Sequence, residues 1–211
     1  AEDGIRDVLL SLVGSEMCIR DRHSPAGVEI EGPLLLRPKV FGDARGFFFE
    51  SWNERVFDAV AGETRFVQDN HSRSLAGVLR GLHYQLPPHP QGKLVRCMLG
   101  SIFDVVVDLR RGSPSFGQWA GAELNAENKC QVWVPAGFAH GFLTLSEHAE
   151  VFYKTTAFWS RDCERAIRWD DPRLAIAWPL ERLAGMPPQL SAKDAEAPSL
   201  AEAVAAGEVF A

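Results

Sequence analysis

The chain reads as an all-β sandwich or barrel with a few short helices. Short runs rich in Val, Ile, Phe and Trp recur through most of it. Turn residues punctuate those runs about every 8 to 12 positions, and text with helical periodicity is scarce. At 211 residues, with 46% hydrophobic and 24% charged side chains, the chain can bury one full core.

Taken in order, residues 1–27 read as a non-native or irregular extension. Residues 5–13 would make a short helix, which Gly14 and the charged text after it break. The opening Ala-Glu-Asp lacks the basic start of an export signal, and residues 15–22 resemble translated adaptor sequence, so this segment is set aside. A β domain is expected over 28–186, with strand text at 34–36, 46–52, 78–85, 93–99, 102–109, 131–134 and 149–156. Asn53 opens a helix over 53–60. Residues 187–211 follow Pro187-Pro188 and are expected to pack on the barrel, partly helical over the Ala-rich 200–206.

Composition excludes several functions. No apolar run approaches the roughly 20 residues of a bilayer span. With 22 basic against 28 acidic residues the net charge is -6, which offers no global attraction to nucleic acid or an anionic membrane. Cys18, Cys97, Cys130 and Cys163 form neither a C-x-x-C pair nor a disulfide framework, and a reducing cytoplasm is the simplest setting. Cys97 and Cys130 read as small core residues. There is no Walker A loop and no G-x-G-x-x-G. The segment 80–85 offers one His where a β-barrel metal site wants two, so no metal is expected.

The densest chemical text is Gln68-Asp69-Asn70-His71, then 78–85, then 91–96. Alternation puts Arg80 on the strand face of Leu82 and Tyr84, with His83 on the other, unless Gly81 bulges the strand. From that pattern alone, a satisfied core imidazole and a rim ion pair are the better readings of His83 and Arg80. Asp104 looks inward by alternation and is a candidate partner of an active-site His.

Read together, residues 39–50, 66–72, 78–85, 91–97, 103–108, 113–117, 134–143, 153–156, 169–172 and 190–194 resemble the dTDP-4-dehydrorhamnose 3,5-epimerase family in order. The resemblance implies a cupin-type jelly roll, a double-stranded β-helix barrel, working as a homodimer without cofactor. The implied reaction inverts C3 and C5 of dTDP-4-dehydro-6-deoxy-D-glucose through enolates, giving dTDP-4-dehydro-L-rhamnose for dTDP-L-rhamnose biosynthesis. Such chemistry asks for a base, an oxyanion partner and an acid.

By resemblance His83 is the base, oriented by Asp194. Tyr153 is the acid, its pKa expected to be lowered by nearby cations, and Lys93 is the ammonium beside the enolate. Arg45, Glu50, Gln68, Asp69, Asn70, Arg80, His140, Glu164 and Lys193 map to substrate contacts, and Trp159 to the ring that stacks on thymine. Each has a plainer alternative: a solvated carboxylate for Asp194, a core phenol for Tyr153, a strand-edge ammonium for Lys93, a loop imidazole for His140, and core or dimer packing for Phe158-Trp159. Phe47, Phe48, Phe49 and Trp52 are too dense to be all ligand-facing and read as core or subunit interface, and Trp119, Trp133, Trp169 and Trp178 as packing. A C3-only epimerase, a 3,4-ketoisomerase and a non-catalytic sugar-nucleotide binding domain are the rival functions.

Overall fold

The computed structural model describes residues 23–211; the expectations for residues 1–22, Cys18 among them, lie outside the described residues. Twelve strands carry the architecture: β1 (Leu34–Leu36), β2 (Phe41–Asp43), β3 (Gly46–Phe48), β4 (Gln68–Leu75), β5 (Leu79–Gln85), β6 (Lys93–Leu99), β7 (Ser101–Asp108), β8 (Trp119–Asn125), β9 (Gln131–Val134), β10 (Phe138–Thr144), β11 (His148–Thr155) and β12 (Glu164–Ala166). Ten of them form two five-stranded sheets, ordered β1-β9-β6-β11-β4 and β12-β5-β10-β7-β8. Every pairing in both is antiparallel. The sheets face one another as a jelly roll, and β2–β3 stands apart as a hairpin.

Strand alternation decides what fills the barrel. On β7, Ile102 and Val106 join an inner cluster with Val95, Cys97, Val132, Phe142 and Val151. Its alternate residues Val105 and Val107 join an outer cluster with Leu79, Leu82 and Tyr84. A sheet apolar on both faces must be covered on both. The C-terminal segment does this, burying Leu174, Trp178, Leu183, Leu200, Ala203 and Val209 against that outer face. Each large side chain so buried contributes roughly 1.5–3 kcal/mol.

Among the described residues, three α-helices are short and local. Helix α1 (Glu54–Ala61) starts where Asn53 Oδ1 accepts the Val56 N–H. Eight residues cannot hold a helix alone, and Phe57 anchors it edge-on against Trp133. Helices α2 (Ala192–Ala195) and α3 (Leu200–Ala205) are each capped by a serine, Ser191 and Ser199. The strand text expected to run through 46–52 stops at Phe48, whereas β4, β8, β10 and β12 add strands where the text is more polar or mixed.

Candidate active site

One irregularity places the central histidine. Between β10 and β5, His140 pairs with His83 but Phe142 pairs with Arg80, so β5 carries one residue more. Gly81 supplies it, with φ at +128°, in such close approach to Gly141 that no side chain would fit. The extra residue shifts the alternation. Leu79, Leu82 and Tyr84 all turn to the outer core, which leaves both Arg80 and His83 to the inner side. The bulge at Gly81 that the sequence left open is therefore present, and it parts Arg80 from Leu82 and Tyr84.

His83 Nε2 lies 2.5 Å from Asp194 Oδ1, with the carboxylate buried and the imidazole side chain 27% exposed. Ser191 Oγ accepts the Asp194 N–H, which fixes the first turn of α2 beneath the imidazole. Burial would raise the pKa of Asp194. Hydrogen bonding and charge from His83, the Ser191 hydroxyl and Lys193 outweigh that and hold it below the ordinary carboxylate value. Asp194 is thus a buried, ionised partner and not a solvated loop residue.

Lys93 and Tyr153 come from the facing sheet, on the strand faces that carry Val95 and Val151 inward. The Lys93 ammonium donates to the His83 carbonyl at 3.3 Å. Burial brings its pKa down to about 8, against the opposing pull of Glu164 and Asp104. Tyr153 corrects an expectation: burial raises its pKa, Arg80 recovers only part of the shift, and the phenol stays protonated at neutral pH. Arg80 bridges the sheets by donating to Ser74 Oγ at 2.9 Å and to the Arg73 carbonyl. Deeper in the barrel, buried His140 Nε2 lies 2.8 Å from Asp104 Oδ2. That pairing agrees with the inward reading of Asp104 and removes the loop reading of His140, which lies within β10.

The mouth lies at the β4–β12 edge. Gln68 donates to Asn70 Oδ1 and accepts the Trp159 N–H, tying the exposed Phe158-Trp159 segment to β4. Neither ring is core packing within the chain, as Phe158 is 68% and Trp159 56% exposed. Glu164 pairs with Lys193 at 2.6 Å. Burial raises the Glu164 pKa, and bonds and charge from Lys193 with hydrogen bonding to Trp159 bring it below the ordinary value.

Three expected contacts do not join this group. Asp69 falls on the outer face of β4 by alternation and pairs with Lys154 at 2.9 Å. Arg45 sits at the tip of the β2–β3 hairpin, paired with Asp43. Glu50 lines a small crevice against α1 with Trp52 and Asn53. Conversely, Ser74 and Ser191 position Arg80 and Asp194 without standing out in sequence. The S-x-x-D spacing of Ser191 and Asp194 is a helix-cap signal that could have found one of them. Among the described residues, no three His, Cys, Asp or Glu side chains converge as a metal site would need.

Fold and site together define the class: a cupin-type jelly roll with titratable side chains, His83 on one inner wall and Lys93 and Tyr153 on the other. The chain matches the family model described as dTDP-4-dehydrorhamnose 3,5-epimerase over residues 27–202, and it belongs to that family. It is 60% identical over 171 residues to the dTDP-4-dehydrorhamnose 3,5-epimerase of Pseudomonas aeruginosa, covering 81% of this chain and 92% of that protein. A crystal structure of the Legionella pneumophila enzyme in complex with dTDP-4-keto-L-rhamnose superposes with a TM-score of 0.80 at 48% identity, covering 87% of this chain and 95% of that one. A 3'-monoepimerase from Streptomyces bikiniensis in complex with dTDP-quinovose also scores 0.80, at 35% identity, covering 89% of this chain and 92% of that one.

Proposed function

We propose that this chain inverts C3 and C5 of dTDP-4-dehydro-6-deoxy-D-glucose, giving dTDP-4-dehydro-L-rhamnose. The carrying observation is the placement of His83, held by Asp194, on one sheet and Tyr153 on the sheet facing it. His83 removes the proton α to the ketone. Asp194 fixes the imidazole tautomer and stabilises the imidazolium. Lys93 places an ammonium beside the developing enolate, where a positive charge counts most in the transition state. Tyr153 then returns a proton to the opposite face.

The nucleotide takes the mouth. Trp159 offers an exposed face for thymine, Gln68 and Asn70 hydrogen-bonding edges, and Arg80 and Lys193 positive charge for the phosphates. His140 lies deeper, toward the sugar. The exposed Phe47 and Phe48 on the hairpin, 64% and 71% accessible, support a homodimer in which the hairpin carries Arg45 to the second subunit's barrel, with Glu50 in the segment that follows it. The working unit is the barrel of 28–186 with 187–211 packed on it, in the cytoplasm. Free buried Cys97, Cys130 and Cys163 support that reducing setting, and no helix among the described residues is long and apolar enough to cross a membrane.

Double inversion is favoured by the 60% identity to a 3,5-epimerase against 35% to a 3'-monoepimerase. The test is incubation with substrate in deuterated water, following the C3 and C5 protons by NMR. Loss of both signals, abolished in His83→Ala, is expected. Exchange at C3 alone would make the chain a single epimerase, and binding without exchange would make it a binding domain.

A further inference from the structure

Trp159 is 56% exposed, yet the backbone that carries it is not left to solvent. Over 157–160 each residue is bonded by a side chain from outside the loop. Gln91 Nε2 and Thr155 Oγ1 donate to the Ala157 carbonyl at 2.8 and 3.0 Å. Gln85 Nε2 donates to the Phe158 carbonyl at 3.2 Å. The Trp159 N–H is accepted by Gln68 Oε1 at 3.2 Å, and the Ser160 N–H by Gln85 Oε1 at 2.8 Å. Loop backbone ordinarily bonds to itself or to water. Here three glutamines and a threonine take that place.

Gln85 stands at the centre of this clasp. It is 3% exposed, and its amide is fully engaged, because its nitrogen also donates to the His89 carbonyl at 2.8 Å. Its two bonds to the loop fall on the residues either side of Trp159. It lies two residues after His83 on β5, on the same strand face by alternation. The strand that presents the base therefore also holds the segment that presents the ring. An ionised glutamate there could not donate to the two carbonyls, and an apolar side chain would leave three backbone groups unpaired.

We propose that Gln85 is a positioning residue for nucleobase recognition: it fixes the backbone of 158–160 so that the Trp159 ring is in place for thymine before the sugar nucleotide arrives. The proposal rests on the reading of Trp159 as the stacking ring. With the loop already ordered, binding bears no cost of ordering it, and the stacking energy appears as affinity. Among the described residues, none of the bonds of Gln85 goes to His83, Lys93 or Tyr153. Its loss should therefore be read in KM and not in kcat.

The test is a double-mutant cycle on the full chain, read by calorimetric titration with dTDP. Trp159→Ala should weaken dTDP binding about tenfold. Gln85→Met, near in volume but without the amide, should weaken it about fivefold. KM for the sugar nucleotide should rise by a similar factor, with kcat within about twofold of the unaltered protein. In the Trp159→Ala background Gln85→Met should weaken dTDP no further, because Gln85 acts through that ring. Gln85→Asn keeps an amide one methylene too short to reach both sides of Trp159. It should behave as Gln85→Met does, and it decides the matter if that variant does not fold by circular dichroism. Unaltered dTDP affinity in a folded Gln85 variant, a fall confined to kcat, or a loss that simply adds to that of Trp159→Ala would overturn the proposal. Failure of the underlying reading is distinguishable: Trp159→Ala would then bind dTDP as the unaltered protein does, which removes the stacking role and the proposal with it.

Discussion

His83 and Asp194 stand 111 residues apart in the chain and 2.5 Å apart in the fold. The strand supplies the imidazole, and a four-residue helix capped by Ser191 supplies the carboxylate. Because Asp194 is buried and held ionised, its loss would leave the imidazolium without a counter-charge at the moment it forms. Asp194→Asn keeps the shape and removes the charge. Its kcat should fall by about 10² to 10⁴ with KM little changed, as steady-state assays would show.

Lys93 sets an alkaline limit. With its pKa at about 8 in the free protein, the ammonium disappears above that pH, so kcat/KM should decline there. The diphosphate of a bound substrate raises the same pKa, and the limb in kcat should lie at higher pH. The linkage sign follows from the lowered value. Between about 8 and the ordinary 10.5 the unfolded chain holds a proton that the folded one does not, so folding stability rises with pH across that window. At neutral pH the buried charge costs stability. Lys93→Met should therefore melt a few degrees higher at pH 7 while losing most activity. Calorimetry beside a rate assay reads both, and an unchanged or lowered melting temperature would contradict the assignment.

Tyr153→Phe separates exchange from inversion. Burial keeps the phenol protonated at neutral pH, ready to donate. Without it His83 can still remove and return a proton on one face. The variant should wash deuterium into C3 or C5 with retention while inversion falls about 100-fold or more, resolved by NMR coupling patterns. Inversion at the unaltered rate would remove Tyr153 as the acid.

Much of the fold was legible because alternation is a local signal. The inward setting of Asp104 follows from its spacing with Ile102 and Val106, and Asn53 marks the start of α1 by its side-chain chemistry. The pairing of His83 with Asp194 was not legible from spacing. It depends on which strand the C-terminal segment crosses, and only the family resemblance supplied it. Asp69 shows the converse limit: it sits within the resembling text, yet the two-residue period turns it outward to Lys154. Arg45 and Glu50 sit within resembling text too, yet Arg45 pairs with Asp43 at the tip of a hairpin that joins neither barrel sheet, and Glu50 lines the crevice against α1.

Asp108 ties the loop after β7 to the barrel. It is fully buried, bonding Arg110 at 2.7 and 2.9 Å and Ser115 Oγ at 2.7 Å. Burial raises its pKa, and bonds from Arg110, Ser113 and Ser115 bring it below 3.8. Its stabilisation is therefore present above the unfolded pKa and lost as pH falls through the lower folded one. Asp108→Ala should cost about 3 kcal/mol at pH 7 in denaturant titration. The difference from the unaltered protein should narrow in acid, far from the site chemistry.

Gly81 links fold to function most directly. It lets β5 carry an extra residue, and that residue turns His83 toward the inner side. An added Cβ would sit 2.5 Å from the Gly141 Cα and 2.9 Å from the His140 carbonyl oxygen, both backbone atoms of the neighbouring strand. Its φ of +128° also resists any L side chain. Gly77 provides the control, since it shares a positive φ of +74° but meets nothing closer than 3.8 Å. Gly77→Ala should cost about 1 kcal/mol and leave kcat unchanged. Gly81→Ala should cost about 3 kcal/mol or more, and the folded fraction should still lose roughly 100-fold in kcat as His83 is displaced. Equal effects of the two substitutions on activity would mean that the bulge does not set the position of the base.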